Sequence, residues 1–132
     1  MKWYYFLFSV LIFAGCKKSG SNNEYYVKYI IDGKSSIQQE SKTGLKVTLR
    51  NEKGVSVDYI RSNRGPNEFL VGPVKRGFIS SLTGTNACPP LACYIRPNLQ
   101  IFVSENNGPF VLKKEDASTN LRDAAELSHT IE

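Results

Sequence analysis

"LKVTLRNEKGVSVDYIR", residues 45–61, is the stretch on which the reading of this chain turns. Its first six residues alternate strictly: Leu45, Val47 and Leu49 lie to one side, and Lys46, Thr48 and Arg50 to the other. A period of two places successive side chains on opposite faces of a β-strand, whereas a helix would repeat its apolar positions every three to four residues. "NEKG", 51–54, carries turn chemistry, with Gly54 free to adopt a positive φ. "VSVDYIR", 55–61, then returns with Val55, Val57 and Tyr59 on one face. The stretch predicts a β-hairpin with one buried side.

The same pattern recurs on both sides of the hairpin. "EYYVKYIID", 24–32, is rich in aromatic and β-branched residues and is expected to stop at Asp32-Gly33. "NRGPNE", 63–68, reads as a loop and "FLVGPV", 69–74, as a short strand that Pro73 assigns to a sheet edge. "GFISSLTG", 77–84, is a further strand. "LQIFVSE", 99–105, points Leu99, Ile101 and Val103 inward, and "NNGP", 106–109, turns the chain into "FVLKKE", 110–115. In the closing "DASTNLRDAAELSHTIE" a helical turn near Asn120 precedes a last strand at Glu126 to Ile131. Before these last residues no stretch of the domain sustains a 3.6-residue apolar period. Seven or eight short strands at this spacing predict an all-β, antiparallel β-sandwich over residues 24–132, with a small closed barrel as the alternative.

The N-terminal residues belong to a different category. Lys2 precedes the apolar run "WYYFLFSVLIFAG", Trp3 to Gly15, thirteen residues long. A bilayer span needs about 20, so the run reads as a secretory signal over residues 1–15. "FAGC", Phe13 to Cys16, resembles the bacterial lipobox, with Ala14, Gly15 and Cys16 matching and Phe13 standing where Leu is usual. The resemblance implies cleavage between Gly15 and Cys16, a diacylglyceryl thioether on Cys16, and acylation of the new amino terminus. Two or more acyl chains anchor stably, whereas one does so only marginally. "KKSGSNN", Lys17 to Asn23, lacks apolar residues and reads as a flexible tether, so residues 16–23 form the lipidated cysteine and its linker. No aspartate follows Cys16 and no acidic run adjoins it, which favours the outer membrane, facing the periplasm.

The order of segments carries a further resemblance. After the lipobox and tether come "YYVKYIIDG", "VTLRNEKGVSV", "KRGFISSLTGTN", "IFVSENNGPFVLKKEDAS" and a closing strand. This looks like a group of short lipoproteins common in Bacteroidetes, over roughly residues 24 to 131. The resemblance implies one immunoglobulin-like domain, similar in fold to small accessory proteins of mycobacterial lipid exporters. The group has no defining catalytic or binding residues, so none is carried over. "ACPPLAC" and "RGPNEF" depart from its pattern, the latter where the group often has a Pro-Trp pair.

Cys88 and Cys93 bracket Pro89-Pro90 in an exported chain, where the surroundings form disulfides. A structural disulfide is the expectation; unpaired thiols and a metal or redox pair are the alternatives. Two thiols and His129 fall short of the four ligands of a structural zinc site, and four intervening residues are two too many for a thioredoxin-type pair. His129 is the single histidine. No nucleophile elbow, phosphate loop or calcium loop accompanies it, so neither a catalytic residue nor a metal or cofactor is expected. Among Asp32, Asp58, Glu105, Asp116 and Asp123 no paired-carboxylate motif stands out. Tyr25, Tyr26 and Tyr29 offer either core packing or an aromatic platform for sugars. Arg61, Arg64, Lys75 and Arg76 offer either solvated loop charges or a small anion patch. The formal charge is +5, and without Lys2 the balance is 16 basic to 12 acidic residues, or +4. That charge is scattered, which argues against nucleic acid as a partner. The expectation is a non-enzymatic, membrane-anchored lipoprotein whose domain engages an envelope protein or glycan. An accessory subunit of an envelope transport complex, and an enzyme or redox protein using Cys88 and Cys93, are the other readings.

Overall fold

The computed structural model describes residues 22–35, 44–62, 65–86, 95–117 and 124–132. These form eight strands: β1 (Tyr25–Ser35), β2 (Gly44–Arg50), β3 (Ser56–Ser62), β4 (Asn67–Val74), β5 (Ile79–Asn86), β6 (Ile95–Glu105), β7 (Val111–Ala117) and β8 (Ala124–Thr130). Two four-stranded antiparallel sheets result, sheet A in the order β4-β1-β6-β7 and sheet B in the order β3-β2-β5-β8. The protein is an all-β sandwich with one strand more than the lower of the two expected counts. Each sheet keeps two free edges, so the barrel alternative is set aside.

The hairpin that announced the fold forms as read. Leu45, Val47 and Leu49 are buried while their neighbours are half-exposed. Asn51 organises the turn: its Oδ1 accepts from the backbone N–H groups of Lys53 and Val55, and Gly54 takes φ 76°. Val55 departs from expectation. It is 56% exposed, because it belongs to this turn and precedes the ladder, which starts at Ser56. The "NNGP" turn also forms, with Asn106 and Asn107 both at positive φ and the Gly108 N–H donating to Glu105. Pro73 lies in β4, which pairs only with β1 and is an edge strand, as its missing N–H requires. β1 runs past its expected stop. Asp32 and Gly33 pair with Asn98 and Pro97 of β6, and the ladder continues to Ser35. A long partner strand there satisfies backbone groups that a local turn would otherwise have to satisfy.

Chain order explains why the sheets form one core. β1 and β4 pair in sheet A, while their successors β2 and β5 pair in sheet B. In an immunoglobulin domain strands B and E, C and F stand in this relation, with C′ beside C and G beside F. The order β3-β2-β5-β8 reproduces C′-C-F-G. The other sheet differs: the place of strand A, beside β1, is taken by the β6–β7 hairpin, which enters between the equivalents of F and G.

The core is filled by alternate residues of the central strands. Tyr25, Val27, Tyr29 and Ile31 of β1 face Leu45, Val47 and Leu49 of β2, Leu82 of β5, and Leu99, Ile101 and Val103 of β6 complete the layer. Tyr29 is fully enclosed, and its hydroxyl donates across the sandwich to the Arg50 carbonyl at 3.2 Å. Gly84 of β5 also faces inward. A Cβ there would stand 2.6 Å from Cδ1 of Ile31, so the absent side chain is the space Ile31 occupies.

Two stability experiments follow. Tyr29→Phe should lower unfolding free energy by about 1 kcal/mol, the usual net value of one hydrogen bond, while Tyr29→Ala should cost about 3–5 kcal/mol. Gly84→Ala should cost about 1–3 kcal/mol through overpacking, and clearly less in an Ile31→Val background, which lacks the obstructing methyl. Urea denaturation of the wild type, the two Tyr29 variants, Gly84→Ala, Ile31→Val and their double variant measures these effects; equal costs of Gly84→Ala in the two backgrounds would contradict the packing argument.

Candidate functional site

The two ends of the sandwich differ in kind. At one end, called the base, the chain enters through Asn23 and Glu24. Glu24 exchanges hydrogen bonds with Asn106: its N–H donates to Oδ1 at 3.1 Å and its carbonyl accepts from the Asn106 N–H at 2.8 Å. The Asn23 side-chain amide donates to the Glu105 carboxylate. The linker therefore leaves from a fixed point on sheet A, beside the β6–β7 turn. The opposite end receives the ends of β1, β3, β5 and β7 and the starts of β2, β4, β6 and β8. Gly15, Cys16, Cys88, Cys93, Arg64 and Asp123 lie outside the described residues, as does the helical turn expected near Asn120. Asn86 and Ile95, which flank the segment containing Cys88 and Cys93, are both at the end opposite the base.

The outer faces of the sheets have opposite chemistry. Leu70, Lys28, Phe102 and Leu112 are register partners across all four strands of sheet A and share its outer face. The Lys28 ammonium lies 5.1 Å from the Phe102 ring centre and 4.9 Å from that of Phe110. Leu70 is 65% exposed, Leu112 43% and Phe110 37%. Further from the base the same face turns polar: Ile30 pairs with Glu68 and Gln100, and the Gln100 amide donates to Glu115 at 2.8 Å. Sheet B presents hydroxyls and charge instead. Thr48 lies between Asp58 and Thr83, and Thr83 pairs with Glu126, while Ser81 pairs with Ser128. Asp58 accepts from Thr48 at 2.6 Å and pairs with Lys46 at 2.9 Å. These two hydrogen bonds, Thr48's first, hold the Asp58 carboxyl below its usual range.

The residues singled out in the sequence are dispersed. Tyr25 and Tyr29 point into the core and Tyr26 points out, so the three do not form a platform; strand alternation separates them. Burial pushes the Tyr29 phenol up to about 12, against smaller opposing effects of the Ser81 backbone and the Arg50 charge, and it stays a hydrogen-bond donor. The Arg61 guanidinium stacks on Tyr59 and Phe69, 5.2 and 5.3 Å from the ring centres. Lys75 and Arg76 follow the other end of β4, about 20 Å further along at strand rise, and line a cleft of about 530 Å³ with Asn22 and Tyr25. Arg61 therefore does not join them in an anion patch.

His129 borders a second basal cleft of about 380 Å³, together with Tyr25, Glu105, Lys113 and Glu132. Ser80 donates to the His129 backbone carbonyl at 2.7 Å, not to its imidazole. Among the described residues no three His, Cys, Asp or Glu side chains are grouped to hold a metal ion. The apolar basal half of sheet A was the feature the sequence reading passed over. Its signal was present: once Leu99, Ile101 and Val103 are assigned inward, Phe102 must face out. No family model matches the chain, and no curated protein matches it.

Burial first, then the charges of Lys113 and Lys114, hold the His129 imidazole below its ordinary 6.5, with Glu132 acting the other way. The unfolded chain therefore takes up this proton before the folded one does. The stability linked to His129 is fully present above pH 6.5 and declines as the pH falls below it. His129→Gln should flatten that part of a pH profile of urea midpoints; an unchanged slope would show that the imidazole is not the group responsible.

Proposed function

We propose that the protein is a bacterial lipoprotein, held to a membrane through lipid on Cys16, whose immunoglobulin-like sandwich is a non-enzymatic interaction domain in the cell envelope. The carrying observation is "FAGC" at 13–16, followed by a polar linker that runs directly into the central strand of a sandwich. The lipobox resemblance supplies cleavage after Gly15, and the absence of an aspartate after Cys16 favours the outer membrane, facing the periplasm. The domain meets an envelope protein or a glycan, without a cofactor and without nucleic acid. Cys88 and Cys93 form a disulfide that staples the connection between β5 and β6, at the end turned away from the anchor. Closing so short a ring contributes about 2 kcal/mol or less in the loop-entropy picture.

Metabolic labelling with palmitate tests the anchor. The wild-type protein should label and partition into detergent, and Cys16→Ser should leave unlabelled, uncleaved precursor; continued labelling of that variant contradicts the assignment. Alkylation without reduction should leave Cys88 and Cys93 unmodified, with a link between them found by mass spectrometry. Two alkylated thiols would remove the staple, and one equivalent of bound zinc would replace it. Affinity purification from membranes then identifies the partner class, a stoichiometric transporter subunit marking a transport complex.

A further inference from the structure

We propose that the basal half of the outer face of sheet A lies against the same bilayer that holds the anchor, so that the domain reclines on the membrane through Lys28, Leu70, Phe102, Phe110 and Leu112. The proposal rests on lipid attachment at Cys16. Three observations support it.

The first is where the linker ends. Seven residues, Lys17 to Asn23, separate Cys16 from Glu24. Fully extended they span at most about 25 Å, and as a flexible coil about 15 Å. Asn23 and Glu24 are fastened to Glu105 and Asn106, so the linker leaves from sheet A and not from sheet B. Lys28 stands four residues beyond Glu24, about 13 Å along β1. The face is within reach of the surface to which the anchor is fixed.

The second is composition. A lysine resting its stem among phenyl rings and leucines, with its ammonium free to reach outward, is the arrangement that places apolar groups at the acyl boundary and a cation at the phosphates. Exposed leucines and a phenylalanine surround Lys28 here. The outer face of sheet B offers Thr48, Thr83, Ser81 and Ser128 on its central and last strands, and its exposed Ile60 and Ile79 stand apart on β3 and at the start of β5.

The third is the gradient along sheet A. In the row of Ile30 the outer face carries Glu68 and Glu115, which anionic headgroups repel. Apart from Glu24, where the linker joins, the face is apolar and cationic around Lys28 and acidic from the Ile30 row onward, the direction a tilted domain requires. The contact need not be strong alone, because a short tether holds the face at an effective concentration on the order of millimolar.

Hydroxyl-radical footprinting of the lipidated protein, reconstituted in vesicles of phosphatidylethanolamine and phosphatidylglycerol, tests the orientation. Ile60, 62% exposed on the outer face of sheet B, is the internal control. Flotation with the vesicles is measured first. Labelling of Leu70, Phe110 and Leu112 should be lost while that of Ile60 persists, and the loss should not change when the protein is diluted with more lipid. Leu70→Glu/Leu112→Glu, altered only at exposed positions, should still float but regain labelling at Phe110. A protein that floats with Leu70, Phe110 and Leu112 labelled as fully as Ile60 overturns the proposal and leaves the anchor intact. Protection that fades on dilution assigns the face to a second copy instead. Failure to float removes the anchor and the proposal together.

Discussion

Tyr29 stands in the middle of the central strand of sheet A, its ring fully enclosed and its hydroxyl bonded to the Arg50 carbonyl of sheet B. A buried phenol without an acceptor would cost about 1–3 kcal/mol, a large share of the marginal stability of a small domain. The two sheets must therefore meet in one alignment, with the end of β2 beneath the middle of β1. Slipping β1 by one residue would bury Lys28 and Ile30 in place of Tyr29 and Ile31, and would expel both the aromatic ring and its hydroxyl. The gap left by Gly84 opposite Ile31 fixes the same alignment a few residues further on.

That alignment has consequences at both ends. Because β1 is central and enters at the base, the linker is tied to the best-supported strand of the fold, and the turn at Asn106 and Asn107 locks onto it. Because every strand pairs antiparallel with its neighbours, the β2–β3, β4–β5 and β6–β7 turns lie at the base and the other four connections join strand ends on the opposite side. The chain's entry at one end and four of the seven connections at the other are direct products of this topology.

The two free edges of sheet A are handled differently. β4 carries Pro73, which cannot donate to a further strand. β7 carries an irregularity: Ile101 pairs with Lys114 and Phe102 with Leu112, leaving Lys113 as an extra residue beside a second lysine. Both edges belong to sheet A, whose outer face is also the apolar one. Strand addition is thus discouraged at this sheet while its face stays open, so a contact with sheet A uses side chains and not backbone ladders.

Much of the fold was legible in particular residues. The alternation of Leu45, Val47 and Leu49, the glycine at 54, Asn106-Asn107 and the proline at 73 each reported a local condition, and each held, because strand period, turn conformation and a missing N–H are properties of a few adjacent residues. The end of β1 was not legible: Asp32-Gly33 reads as a turn until β6 is laid beside it. Val55 was misassigned because a strand's start depends on its partner's last pairing residue. The proposed membrane attachment rests on residues 13–16, whose motif is read from order alone. The candidate surface was hidden for another reason. Leu70, Lys28, Phe102 and Leu112 are far apart in the chain, and only the pairing of β4, β1, β6 and β7 brings them into one row. Local chemistry determined which residues would form strands and where they would turn; pairing between distant strands decided which of their outward side chains share a face.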